Sequence, residues 1–182
     1  MKLETVSLRL EKRRDIATRE ALLDAAFGAT RFEKTCERLR EDNRPADGLA
    51  LVAVKNGCLV GTVRLWPVVT GDGRDVLMLG PLAVAASERS TGIGARLMRL
   101  AIKRARRAGH KAILLVGDAP YYARFGFSPD LTLGLDLPGP VERTRFLGLE
   151  LVPGALSGAT GVLTAAPVIA PSHEPASLPL AA

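Results

Sequence analysis

Apolar and polar positions alternate over residues 4–10, which reads as a strand. The period then changes, with Ile16, Ala21, Leu22, Leu23, Ala26 and Phe27 recurring at helical spacing over residues 15–27. A second short helix is expected over residues 34–40. Next, LALVAVKNGCLVGTVRLWPV sets Asn56-Gly57 between two β-prone runs, the composition of a type I′ hairpin turn. TGDGRD predicts another turn, and VLMLGPLAV, residues 76–84, a third strand, so the three runs make an antiparallel meander. Gly80-Pro81 interrupts that third strand. Proline removes a ladder donor and glycine weakens pairing, so a bulge or a splay is expected there.

After the loop ERSTGIGARL, residues 92–108 read as the main helix. Ile93, Leu97, Leu100, Ala101 and Ala108 fall in one stripe, while Arg96, Arg99, Lys103, Arg106 and Arg107 lie mostly outside it. Arg104 enters the stripe only near the C-terminal end, where a cation suits the helix dipole. Gly109 stands where a helix-ending glycine is favoured. KAILLVG reads as a buried strand, APYYARFG as a short helix capped by Asp118 and closed by Gly126, and TRFLGLELV as a late strand. From about Pro153 the chain is rich in Ala, Pro, Gly and Ser, and beyond Pro167 little fixed structure is expected. The order is α+β: a meander, a helix, then a strand that the helix must cross over to reach.

At 182 residues the chain is long enough for one full core, and one domain is expected. No apolar run approaches the roughly 20 residues of a membrane span, and the charged N-terminus lacks a secretory apolar segment, so a cytoplasmic protein with no membrane partner is expected. Cys36 and Cys58 lack metal-ligand spacing, and His110 and His173 are the only histidines, so no metal site is expected. Both cysteines are expected as reduced core residues, and His110 as exposed and inert.

Charge changes this picture more than composition does. The net charge is +6, yet residues 89–111 carry eight basic side chains and no acidic one, so the rest of the chain is left at −2. The basicity therefore belongs to the segment that begins at the glycine loop. It points to an anionic partner, a phosphorylated small molecule or a nucleic acid.

A phosphate-cradling P-loop requires Lys and Ser/Thr after the second glycine, where this chain has Ala95 and Arg96. A dinucleotide fingerprint requires a third glycine where Leu97 stands, early in a parallel βαβ unit. What remains is Arg-x-x-Gly-x-Gly at a strand-to-helix junction. Glycines serving only a tight connection are one reading. The other is an anion site: the first turn of a helix offers unpaired N–H groups, and Gly92 and Gly94 keep side chains out of the approach, with Arg89 and Arg96 adding charge.

With LMLGPLAV, RSTGIGARLM, AILLVGD and YYARFGF in that order, residues 76–127 resemble the GNAT superfamily of acetyl-coenzyme A dependent N-acetyltransferases. Within it, LGPLAV, GDAPYYARFGF and ELVPGAL are similar to the YhbS-like branch. The resemblance covers most of residues 1–155, implying an acetyltransferase domain over 1–155 and a C-terminal extension over 156–182, at least partly disordered. It implies a GNAT-type α/β/α fold: a mixed, mainly antiparallel sheet splayed between two central strands, with flanking helices. It also implies acetyl-CoA as cosubstrate. The coenzyme pyrophosphate would lie on Arg89, Ser90, Thr91, Gly92, Ile93, Gly94 and Ala95, and the pantetheine arm would pair with Leu82, Ala83 and Val84. Asp118 would lie beside that arm.

Acetyl transfer to an amine needs a neutral amine, a stabilised oxyanion and a proton for the departing thiolate. The second aromatic of YYARFGF, Tyr122, matches the tyrosine usually given the last role, and a phenol with a pKa of about 10 is still protonated at neutral pH. Tyr121 and Phe125, four apart, read as core. Some family members carry a glutamate in the middle of the split strand; Leu77, Met78 and Leu79 occupy that region here, and neither Asp75 nor Glu88 is a convincing base. A water chain, or an amine that arrives neutral, fits better. Trp66 reads as a packed strand residue or as a cleft residue.

The resemblance implies a small-molecule or peptide amine as acceptor, with acceptor loops around the two N-terminal helices and residues 131–145, and leaves a homodimer open. Two other classes stay open: a coenzyme A-binding sensor that has lost catalysis, and a nucleic-acid binder. The second is disfavoured by the lack of a recognition helix pair or an aromatic stacking platform.

Overall fold

The computed structural model describes residues 5–166. β1 (Val6–Leu10) is followed by α1 (Ile16–Phe27) and two 3-10 turns, Ala29–Glu33 and Thr35–Leu39. Then come β2 (Ala50–Lys55), β3 (Cys58–Val69) and β4 (Asp75–Val84), each antiparallel to its predecessor. β1 closes the meander against β2. α2 (Ile93–Arg107) crosses over to β5 (Ala112–Val116), which runs parallel to β4. The chain continues through α3 (Ala119–Ala123), β6 (Leu135–Asp136), β7 (Phe146–Glu150), β8 (Gly161–Val162) and β9 (Thr164–Ala165). The main sheet has seven strands in the order β1-β2-β3-β4-β5-β7, with β9 added against β3, while β6 and β8 pair separately.

Alternation along the strands sorts side chains into two cores, one on each face. Leu77 and Leu79 of β4 join Leu51, Val63, Ile113 and Leu147 beneath α2, whereas Val76 and Met78 join Leu114, Phe146, Leu156 and Leu163 on the other side. Leu156, Ala159 and Leu163 are buried, so packed structure continues through the start of the expected C-terminal extension. The expectation of little fixed structure beyond Pro167, and His173, lie outside the described residues.

Asn56 (φ 51°) and Gly57 (φ 82°) both have positive φ, as a type I′ turn requires. Other local expectations differ in detail. The helix expected over 34–40 is a 3-10 turn tied by its side chains to a distant loop: the Thr35 hydroxyl donates to the Pro140 carbonyl (2.8 Å) and Arg38 Nη1 to that of Pro138 (2.5 Å). In α2 the buried stripe is Ile93, Leu97, Met98, Ala101 and Ala105; Ala108 is exposed, because the helix has ended and Ala108 forms its C-cap. Cys58 is exposed beside the hairpin turn and Cys36 half-buried, so neither is a fully buried core residue. His110 is half-buried rather than exposed, and burial lowers its pKa.

α1 buries only Arg19 and Leu23, and Ile16 and Ala21 of the expected stripe are exposed. Charge takes the place of apolar contact on its inner face. Glu11 bridges Arg64 (2.5 Å) and Arg19, Arg19 also meets Glu20, and Glu20 meets Arg31, which Asp24 holds at 2.8 Å. This chain of ions fastens α1 and the turn after it to the sheet.

Candidate active site

β4 begins beside β5 and leaves it. The parallel pairing stops after Leu77↔Ile113 and Met78↔Leu114. On the other side of β4 the register with β3 shifts, with Leu79 opposite Leu65 but Leu82 opposite Val63, so one extra residue of β4 is accommodated at Gly80-Pro81. The peptide there is cis. Trp66, buried on β3, donates its indole N–H to the Gly80 carbonyl (2.6 Å), satisfying a group that the broken ladder leaves over. Both the bulge and the splay expected at Gly80-Pro81 are present, and Trp66 is a packed residue.

Past the kink, Leu82, Ala83 and Val84 pair only with β3. The Ala85 N–H goes to the Val60 carbonyl (2.8 Å), so by antiparallel alternation the polar backbone groups of Leu82 and Val84 point to the open side. The wedge between β4 and β5 is a cavity of about 620 Å³. Its walls include Leu79–Leu82 of β4, Leu115–Asp118 at the end of β5, and both tyrosines of α3. Over it meet the two segments expected to face the acceptor, here represented by Arg31, Glu33–Glu37 and Arg40 and by Pro140–Glu142 with Arg145.

The glycine loop runs from the end of β4 to α2. Its start is a 3-10 turn, Ala86–Glu88, tied to β2 by the Lys55–Glu88 pair at 2.9 Å. Ser90 (φ 64°) and Gly92 (φ 85°) turn the chain, and Gly92 caps α2 with no side chain bonded to the first turn. Arg89, Ser90, Thr91 and Gly92 are exposed, Gly94 and Ala95 partly so, and the Ile93 side chain is buried in the core. The first N–H groups of α2 thus face outward at the positive end of a 15-residue helix.

Of the basic helix face, part is committed to the protein itself. Arg96 donates to the Val6 carbonyl (2.9 Å), Arg104 to that of Gly48 (3.3 Å), and Arg99 lies 5.8 Å from the Phe125 ring centre.

The Acetyltransferase (GNAT) family model matches residues 16–127. The chain belongs to the GNAT acetyltransferase family. It is 31% identical over 146 residues to the uncharacterized N-acetyltransferase YhbS of Escherichia coli K12, covering 79% of this chain and 86% of that one. The E. coli YhbS structure, solved in complex with CoA, superposes with a TM-score of 0.75 at 28% identity, covering 91% and 92% of the two chains. A GNAT acetyltransferase from Brucella melitensis in complex with acetyl-CoA superposes with a TM-score of 0.69 at 25% identity, covering 90% and 97%.

In this GNAT fold Tyr122 projects into the wedge. Its backbone N–H bonds the Asp118 carbonyl (3.1 Å), and the Asp118 side chain caps the same helix at the Tyr121 N–H (3.3 Å). The ring is held edge-on by Tyr121 (4.9 Å between centres) and Phe127 (5.9 Å). Burial foremost, aided by Tyr121 and Asp118 and opposed by Arg145, pushes its phenol up to about 12.

Neither Asp75, exposed at the start of β4, nor Glu88, paired with Lys55, lines the cavity. Glu37 does, with its carboxylate 2.9 Å from Arg40 Nη1. Arg40 Nη2 in turn lies 3.0 Å from where a Cβ on Gly80 would be, which places the ion pair at the kink. No local motif in the sequence marks Glu37 and Arg40; the long-range bonds of Thr35 and Arg38 bring their turn over the wedge.

Proposed function

We propose that this chain transfers the acetyl group of acetyl-CoA to a primary amine by direct attack in a ternary complex. The observation that carries the proposal is the open backbone edge of Leu82–Val84, which ends beside the start of α2, where no side chain bonds the first turn. A strand edge takes an extended amide-bearing chain as an added strand, and a helix N-terminus takes phosphate. Pantetheine followed by pyrophosphate is such a ligand, and CoA or acetyl-CoA is bound by the two structural relatives described above. Arg89, Ser90, Thr91, Gly92, Ile93, Gly94 and Ala95 then hold the pyrophosphate, with Ile93 acting through its backbone alone, and Asp118 flanks the arm.

The neutral amine nitrogen attacks the thioester carbonyl carbon. The Leu82 N–H, pointing into the wedge, stabilises the oxyanion, at about 3 kcal/mol for a donor of this kind. As the C–S bond breaks, Tyr122 gives its proton to the sulfur, and the proton leaving the new amide nitrogen restores the phenol. Burial keeps Tyr122 neutral throughout the physiological range, as a proton donor must be. No carboxylate stands on β4 near the kink, so the acceptor ammonium loses its proton through water to Glu37 or arrives neutral.

Thermal shift with acetyl-CoA and CoA, followed by an amine panel read by thiol release, tests the proposal. Stabilisation by both and thiol release with an amine are expected. No shift with either nucleotide overturns it, and a shift without thiol release from any amine leaves a coenzyme-binding sensor.

A further inference from the structure

Tyr121 has no part in the chemistry just described, yet it is held as firmly as Tyr122. The Arg124 guanidinium lies 4.4 Å from the ring centre, Arg124 Nε donates to the Tyr121 carbonyl (2.9 Å), and Phe125 meets the ring edge-on at 5.7 Å. Tyr122 and Phe125 pack against the main core, and Tyr121 does not. Its hydroxyl makes no hydrogen bond among the described residues. Burial raises the phenol above its ordinary pKa, so the hydroxyl is a neutral donor.

Where that hydroxyl stands is shown by Gly94. A Cβ built on Gly94 would lie 3.0 Å from Tyr121 Oη and 3.6 Å from Val84 Cγ2. Val84 ends the open strand edge and Gly94 is the second residue of α2, so Tyr121 Oη sits at the corner between them. The two glycines of the loop therefore differ. Gly92 has φ +85° and nothing within 4 Å of an added Cβ, so its backbone conformation requires glycine. Gly94 lies in the first turn of the helix without a positive φ, so its backbone does not require glycine, and what it provides is room.

We propose that Tyr121 is a coenzyme-binding residue: its hydroxyl donates to a pyrophosphate oxygen where the pantetheine arm turns from Val84 to α2, and Gly94 is glycine to admit it. The inference rests on the coenzyme reading above. A hydrogen bond to an ionised acceptor is among the stronger kinds, and its loss is worth about tenfold in affinity.

Calorimetry on wild type, Tyr121→Phe, Gly94→Ala and the double variant tests it, with acetyl-CoA and with S-acetylpantetheine, which lacks the pyrophosphate. Tyr121→Phe is expected to weaken acetyl-CoA about tenfold and leave S-acetylpantetheine within twofold. Gly94→Ala is expected to weaken acetyl-CoA in the wild-type background and cost little more in Tyr121→Phe, where the obstructing oxygen is gone. The inference is overturned if Tyr121→Phe leaves acetyl-CoA affinity unchanged, if both ligands weaken equally, or if Gly94→Ala costs the same in both backgrounds. Failure of the wild type to bind acetyl-CoA overturns the coenzyme reading itself, a result distinct from these.

Discussion

The Tyr122 ring occupies the space that a side chain on Gly117 would need: a Cβ there would lie 2.2 Å from Cε2 and 2.8 Å from Cδ2. Gly117 is the first residue past β5, and its N–H is fixed to the Arg145 carbonyl (2.9 Å). The end of the splayed strand is therefore the seat of the proposed acid. Gly117→Ala must push the ring out of place, and displacement by about an ångström costs on the order of 100-fold in rate. We expect kcat to fall by about that factor, with acetyl-CoA affinity within about twofold of wild type. Steady-state thiol release and calorimetry check the two halves separately.

Tyr122→Phe removes the proposed proton donor while keeping the ring against Gly117. The expected loss in kcat is about 100-fold, at the lower end of what general acids contribute. The pH profile carries the sharper content. Because burial pushes the phenol up to about 12, the protonated form persists well above the ordinary tyrosine value, and initial rates should not fall through a midpoint of about 10. A descending limb centred there, absent in Tyr122→Phe, would contradict the buried donor.

Much of this geometry is legible in the sequence because it is local. The Asn56-Gly57 turn, the β4 interruption at Gly80-Pro81 and the glycine loop before α2 each follow from a few adjacent residues, and each stands where their chemistry demands. The inner face of α1 was not legible. Its stripe of apolar residues suggests ordinary core packing, but Arg19 is buried against Glu11 and Glu20, partners that only tertiary structure brings together. The same holds for Glu37 over the kink. Tyr121 differs again: its spacing from Phe125 reads as core, yet Phe125 packs against the main core and Tyr121 does not, and only its position against Gly94 suggests a ligand contact.

Asp15 anchors the start of α1. Its carboxylate takes two bonds from Arg9, at 2.6 and 2.9 Å, and one from the Lys12 N–H at 2.7 Å. The Arg9 hydrogen bond, more than any other influence, holds its pKa far below the ordinary carboxylate range. A depressed folded-state pKa gives stability that is complete above the unfolded value of about 4 and is lost as pH falls below it. Asp15→Asn is expected to cost about 2 kcal/mol at pH 7. Urea denaturation at pH 7 and at pH 3 should show the gap between variant and wild type narrowing at the lower pH; an unchanged gap would remove the ionised carboxylate as its cause.

Glu37 is the carboxylate that Arg40 holds at the kink, across the wedge from the tyrosines. If it receives the acceptor's proton through water, Glu37→Gln removes the acceptor of that proton while keeping a side chain of the same length beside Arg40. At neutral pH kcat/KM for the amine should then fall about tenfold, with acetyl-CoA affinity unchanged, a modest share of what acid–base groups contribute. The deficit should shrink as pH rises, because an amine that is already neutral has no proton to lose before attack. A carboxylate whose only task is to position Arg40 predicts a deficit that does not vary with pH. The kcat/KM profile of the two proteins, taken from below to above the pKa of the chosen amine, separates proton transfer from support.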